Sequence, residues 1–206
     1  MTVSAQAWDG RRAAEREQLL EFGVWMFLAT VGMLFAAFTS AYLVRRAGAD
    51  WRPIPLPGVL AVNTMVLGVS SAAAEVGRRG AVRGRWNLAR AGLVAAFTLG
   101  VAFLAGQLGA WRALDGAGFV VSTLPQSAFF YMLTGVHAVH LVAGLVVLAA
   151  TLPALGARGG TPRGAKSGGA PEAVQVSPAV RARLAATFWH FFGALWIYLY
   201  ALLAFF

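Results

Sequence analysis

Within the apolar stretches of this 206-residue chain, the side chains able to carry charge or ligate a metal are Glu75, His137, His140 and His190. His137 and His140 are three residues apart, so on a helix they share one face close to its midpoint. Polar groups at membrane depth cost several kcal/mol unless paired, so each implies a partner or a function. Two histidines at helical spacing, with His190 on the next helix, are the ingredients of a haem or metal site. Depth argues against that chemistry: His190 lies about five residues before the middle of its helix, roughly 7 Å toward the cytoplasm, while His140 is nearly central. A metal site would usually add carboxylates, and none lies at that depth. The expectation is therefore hydrogen-bonded packing histidines or contacts to lipid and partner subunits, with ligation as the alternative. The expected sets of catalytic, cofactor-binding and metal-binding residues are empty.

Glu75 precedes Arg78 and Arg79 by three and four residues, the spacings at which side chains meet on one helix face. A local ion pair is expected there, with proton uptake or lipid head-group binding as the alternative. The chain has no cysteine, which excludes disulfides, thiolate nucleophiles, iron–sulfur clusters and cysteine-bound copper or zinc.

The elements that position these residues follow from composition. Of all residues 59% are hydrophobic and 12% charged, and the mean hydropathy of +0.67 is far above that of a water-soluble domain. Uncharged stretches cover 22–44, 53–74, 91–111, 116–157 and 184–206, each long enough for the roughly 20 residues a spanning helix needs. The predicted fold class is all-α, a polytopic bundle of five transmembrane helices at about 21–44, 58–76, 86–108, 126–152 and 182–206, with no separate soluble domain. Residues 1–20 carry six charges and no apolar core, so they read as a cytoplasmic tail and not as a secretory signal peptide. Pro53, Pro55 and Pro57 hold the first outer loop extended, and Trp51 suits the interface. Asn63, Thr64, Ser70 and Ser71 can bond to carbonyls or across to another helix. Pro153 is expected to end helix four, and 153–181 reads as a flexible cytoplasmic loop. The aromatics of helix five, Trp189 and Trp196 among them, read as packing and interface belt rather than a cofactor box.

Orientation follows from charge. The 17 Lys and Arg against 8 Asp and Glu give a net charge of +9, which in a soluble chain would raise nucleic acid as a partner. Here the charges fall between spans. All but Arg45, Arg46, Arg52 and Arg112 belong to one face, so the positive-inside rule puts the N-terminus in the cytoplasm and the C-terminus outside. Arg78, Arg79 and Arg183 are placed for contacts with lipid phosphate.

Several motifs, in order, resemble one family. The segment Phe130-Tyr131-Met132-Leu133-Thr134-Gly135-Val136-His137-Ala138-Val139-His140-Leu141 is similar to the Phe-Tyr-x-Leu-Thr-Gly-x-His-x-x-His segment of subunit III of haem–copper oxidases, the cytochrome c oxidase family. Phe188-Trp189-His190-Phe191 followed by Trp196 resembles the signature of that family's last helix, and Leu56-Pro57, Asn63-Thr64 and Ser70-Ser71 fall in the family's order. Five helices fit the bacterial form that lacks the first two of seven. Where the family usually writes a membrane-embedded glutamate this chain has Val31, and where an acid often follows Trp-His-Phe it has Gly193. Any proton-exchange role of those carboxylates does not carry over.

The resemblance implies an accessory subunit of a bacterial terminal oxidase in the inner membrane. It would have no haem or copper of its own, these residing in partner subunits, and would pack against catalytic subunit I in a complex that also holds subunit II. It implies bound phospholipid in a helix cleft, protection of the catalytic subunit during turnover, support of proton uptake, and no nucleic acid. Alternatives are an accessory subunit of a nitric oxide reductase of the same superfamily, a b-type haem membrane anchor and a small transporter.

Overall fold

The computed structural model describes residues 2–51, 54–121, 124–156 and 176–205, the side chains of 2–10 and 13 excepted. Arg52, Pro53, Phe206 and most of the glycine-rich connection, including Arg158, Arg163 and Lys166, lie outside the described residues. Five helices follow in order: α1 Thr2–Arg46, α2 Val59–Val82, α3 Trp86–Gly116, α4 Pro125–Gly156 and α5 Pro178–Phe205. There is no strand among the described residues. Each helix contains a segment long and apolar enough to cross a membrane, which in α1 begins at Ala14.

Helix ends depart from the expected bounds for local reasons. Residues 2–20 continue α1 instead of forming a separate tail, because Ala, Glu, Gln and Arg are strong helix formers and the span supplies a nucleus to propagate from. α2 runs past residue 76 to Val82 and closes on Gly84, whose φ of 68° lets the Arg85 N–H reach the Gly80 carbonyl at 2.8 Å. α3 likewise extends past 108 to Gly116 and stops at Gly118, with φ 87°. Pro153 does not end α4, which continues one turn to Gly156. The missing N–H costs one bond close to the helix end, where the freed carbonyl is near the water boundary. α5 starts at Pro178, four residues early, because Ser177 caps it: its hydroxyl accepts the Val180 N–H at 3.3 Å.

Two faces of the bundle are distinct. The arginine-rich face holds the starts of α1 and α5 and the α2–α3 turn. There Glu21 pairs with Arg183, and Glu17 accepts the Ser177 N–H at 3.3 Å, tying α1 to the start of α5. At the arginine-poor face Arg45 bonds Asp50 at 2.7 Å across the chain reversal after α1, and this bond holds the exposed Asp50 carboxyl below the usual carboxylate range.

α2 and α3 form the closest pair, a hairpin along a seam of small residues. A Cβ at Gly92 would lie 2.7 Å from the Cα of Gly77, and one at Gly80 would lie 2.6 Å from the backbone N of Ala89. Such contact lets backbones approach and gain dispersion, the main attraction between helices when lipid is as apolar as the side chains. α5 lays its aromatic side against this hairpin, with the Trp189 ring over Gly100, where a Cβ would come within 2.6 Å of the ring. α4 packs on α3 and α5. α1 leans against α4 and α5 and leaves a broad apolar face outward, with Trp25 59% and Met33 67% exposed.

Gly92→Ala is expected to destabilise the bundle by about 1–3 kcal/mol, the range for overpacked cores. Thermal unfolding in detergent checks this; an unchanged transition would mean the seam has room to open.

Candidate functional site

Glu75 sits in α2 on the side that faces α5. Its carboxylate receives two hydrogen bonds from Arg78, from Nε and Nη2, both at 2.7 Å, and a third from Arg79 Nε at 2.7 Å. The expected local ion pair is therefore present, and one helical face carries all three charges because the spacings are i+3 and i+4. His190 comes to the same place from α5. Its Nδ1 is 2.5 Å from the Ser71 hydroxyl and its Nε2 is 3.5 Å from Glu75 Oε2. Nδ1 thus faces the Ser71 hydroxyl and Nε2 faces the carboxylate, so a proton on Nε2 points at Glu75. Charges this accessible contribute less than about 1 kcal/mol each to stability.

The cluster closes one end of a trough between α2 and α5. This cavity of about 340 Å³ runs from Thr64 and Ile197 to Glu75 and His190, a length of roughly 16 Å at the helical rise. Its walls are apolar except at the charged end. Gly193 keeps it open: a Cβ there would meet only Ser71, at 3.8 Å from the hydroxyl oxygen. A longer side chain at this position would project into the trough.

The other candidates fall elsewhere. His137 is fully buried, and neither ring nitrogen has a hydrogen-bond partner among the described residues. The expectation that it would be hydrogen-bonded is corrected here: Phe35, Phe103, Phe192 and Trp196 surround the ring with centroids 5.2 to 6.5 Å away. His140 does bond, to the Val136 carbonyl of its own helix at 2.7 Å, and stacks on Phe192 at 5.3 Å. Arg183 is engaged with Glu21 away from the trough. Thus the structure brings Glu75, Arg78, Arg79 and His190 together and leaves His137, His140 and Arg183 apart. Among the described residues there is no group of three or more His, Cys, Asp or Glu able to hold a metal ion.

Trp189 acts one residue away, in the core. Its indole N–H donates to Ser70 Oγ at 3.0 Å, and that hydroxyl donates to the Ala96 carbonyl at 2.8 Å, so α5, α2 and α3 meet in one chain of bonds. Trp196 repeats the arrangement on Thr64 at 3.0 Å, and Thr64 donates to Leu60. Asn63 donates to the Phe103 carbonyl across the hairpin at 3.1 Å. Ser71 was expected to bond a carbonyl or across to another helix, and it does the latter, but that its partner would be His190 was not singled out. The only available signal was that Ser71 and Glu75 are four apart and share a helix face.

With five spans, and polar groups that serve helix packing and one peripheral charged trough, the chain is by class a polytopic helical membrane protein. The family model for cytochrome c oxidase subunit III matches residues 2–157, which take in α1 to α4. Over 181 residues the chain is 30% identical to cytochrome bo(3) ubiquinol oxidase subunit 3 of Pseudomonas aeruginosa, covering 85% of this chain and 79% of that one. The probable cytochrome c oxidase subunit 3 of Mycobacterium tuberculosis is 28% identical over 195 residues, 92% of this chain and 89% of the relative. The cytochrome c oxidase subunit 3 of Synechocystis is 30% identical over 193 residues, at 88% and 73%. The chain belongs to the cytochrome c oxidase subunit III family. It is a multi-pass protein of the bacterial inner membrane.

Trp189→Phe should cost about 1 kcal/mol through the lost N–H bond, whereas Trp189→Ala should cost about 3–5 kcal/mol through the cavity. Thermal unfolding of both variants separates bond from bulk; equal losses would deny the indole N–H any share.

Proposed function

We propose that this chain is the accessory subunit III of a bacterial haem–copper terminal oxidase. In this reading it carries no redox centre, packs against catalytic subunit I in a complex that includes subunit II, and stabilises the catalytic subunit. The α2–α5 trough holds a phospholipid, and the Glu75–His190 cluster beside it supports proton uptake. The observation that carries the lipid assignment is the trough: a long apolar groove that ends at a carboxylate and an imidazole, with two arginines bound to that carboxylate, matches an acyl chain joined to a charged head group. A phosphate would face Arg78 and Arg79, and a cationic group on the same head would face Glu75. The names of the relatives, all oxidase subunits, favour an oxidase over a nitric oxide reductase. His190 bonds Ser71 and faces Glu75 while His137 is enclosed by aromatic rings, which argues against a haem anchor.

The arginine-rich face is assigned to the cytoplasm. Since the native chain has no cysteine, Arg12→Cys and Ala49→Cys give clean single-label reporters in intact cells. An impermeant thiol reagent is expected to label Ala49→Cys and spare Arg12→Cys, and the reverse pattern would invert the topology.

Purification in mild detergent through an N-terminal tag is expected to bring down a haem-containing, oxygen-reducing partner, seen in the optical spectrum. A chain that arrives alone with its own haem would replace the accessory reading with the anchor. In the purified complex, Arg78→Ala with Arg79→Ala is expected to weaken phospholipid retention about tenfold, equivalent to about 1.4 kcal/mol. Native mass spectrometry reads this, and unchanged lipid occupancy would remove the head group from this site.

A further inference from the structure

On α2 the trough is lined by Thr64, Gly68, Ser71 and Glu75, a stripe at i+3 and i+4 spacing that Arg78 and Arg79 continue one turn further. Apolar seat, carboxylate and guanidinium pair thus follow one another along a single helix face toward the arginine-rich end. Two arginines against one carboxylate leave the cluster with a net positive charge, and Arg83 and Arg85, exposed just past the end of α2, strengthen the field. Arg79 engages Glu75 through Nε alone. Among the described residues neither of its Nη groups has a partner, and its side chain is 61% exposed. Arg78 likewise leaves Nη1 unused.

The carboxylate, by contrast, is nearly filled. An ionised carboxylate offers about four acceptor positions. Oε1 receives Arg78 Nη2 and Arg79 Nε, and Oε2 receives Arg78 Nε. What remains is one position on Oε2, the oxygen that faces His190 Nε2 at 3.5 Å. A quaternary ammonium has no N–H to place there. A primary ammonium would set its charge beside two guanidinium groups, and like charges repel. An uncharged hydroxyl fits, because it donates one proton and brings no charge.

We propose that the trough selects a singly anionic glycerophospholipid whose head group ends in hydroxyls, as in phosphatidylglycerol, over zwitterionic lipids. Its phosphate meets the unused N–H groups of Arg78 and Arg79, its hydroxyl meets Glu75 Oε2, and one acyl chain lies along the trough. The proposal rests on the reading of the trough as a lipid site and puts an uncharged group, not a cationic one, at Glu75.

The test uses the whole complex in mild detergent, offered equal amounts of phosphatidylglycerol, phosphatidylethanolamine and phosphatidylcholine with the same acyl chains. Native mass spectrometry reads the bound lipid. Phosphatidylglycerol is expected to be retained about fivefold over either zwitterion, the effect of roughly one basic side chain at an anionic head group, and the two zwitterions alike. Arg79→Gln should remove most of that preference, and Glu75→Gln should leave the zwitterions alike. Gly193→Leu, which fills the trough and leaves the arginines in place, separates a lipid from a free anion such as inorganic phosphate: one bound phosphatidylglycerol per chain should be lost. If that variant does not accumulate, Ala194→Phe on the exposed wall of the trough takes its place. Equal retention of all three lipids, a preference unchanged by Arg79→Gln, or a preference for phosphatidylethanolamine that Glu75→Gln removes would overturn the proposal. A wild-type complex without lipid, or a lipid count indifferent to the filled trough, would overturn the lipid reading of the trough as well; lipid displaced by Gly193→Leu without head-group preference would overturn only the selection.

Discussion

A hydroxyl in hydrocarbon must give its proton to an acceptor inside the protein, and a second lone pair stays free to receive one. Four times this bundle uses both capacities at once. Ser70, Thr64, Thr134 and Thr39 each donate to a main-chain carbonyl and accept from an aromatic donor on another helix: Trp189, Trp196, Trp111 and Tyr198 respectively. Measured hydrogen bonds between membrane helices average roughly 0.6 kcal/mol, so their energy alone does not hold five helices together. Their worth lies in register. Each joint accepts one rotation and one axial position of its two helices, and the small-residue seam of α2 and α3 then closes without a search. The trough beside Glu75 inherits its shape from this, since Ser71 and His190 are neighbours in sequence of Ser70 and Trp189 and are brought face to face by the same joint.

Much of this architecture was legible in the residues. Uncharged stretches gave five spans, and the i+3 and i+4 spacing of Glu75, Arg78 and Arg79 gave their ion pairs, because both signals are local to one helix. Helix ends were less legible. Hydropathy says nothing about a polar helix that leaves the membrane, so residues 2–20 read as a tail, and Pro153 was given more power to stop a helix than it has one turn from the end.

The site divided along the same line. His137 and His140 look the most chemical in sequence, yet one is enclosed by aromatic rings and the other bonds its own backbone. His190 proved to be the histidine with polar company, and nothing local predicts it: Ser71 lies 119 residues away in the chain. The segment around Trp189 and His190 likewise splits into two jobs, the indole joining helices in the core and the imidazole facing the charged end of the trough.

The joints that secure α1 have one further property. Its bond from Tyr198 to Thr39 spans 159 residues, and Glu17 with Ser177 spans 160. Both partners sit on or just before α5, whereas α2 and α3 close on each other within a few dozen residues. On a ribosome, then, the first helix to be made is the last to be bonded: it can lean on α4 through Phe35 and Tyr42, but its hydrogen bonds wait until nearly the whole chain has emerged. An early stop in translation would leave a sealed hairpin and a loose first helix, a form that membrane quality control can tell from the finished protein by that helix alone.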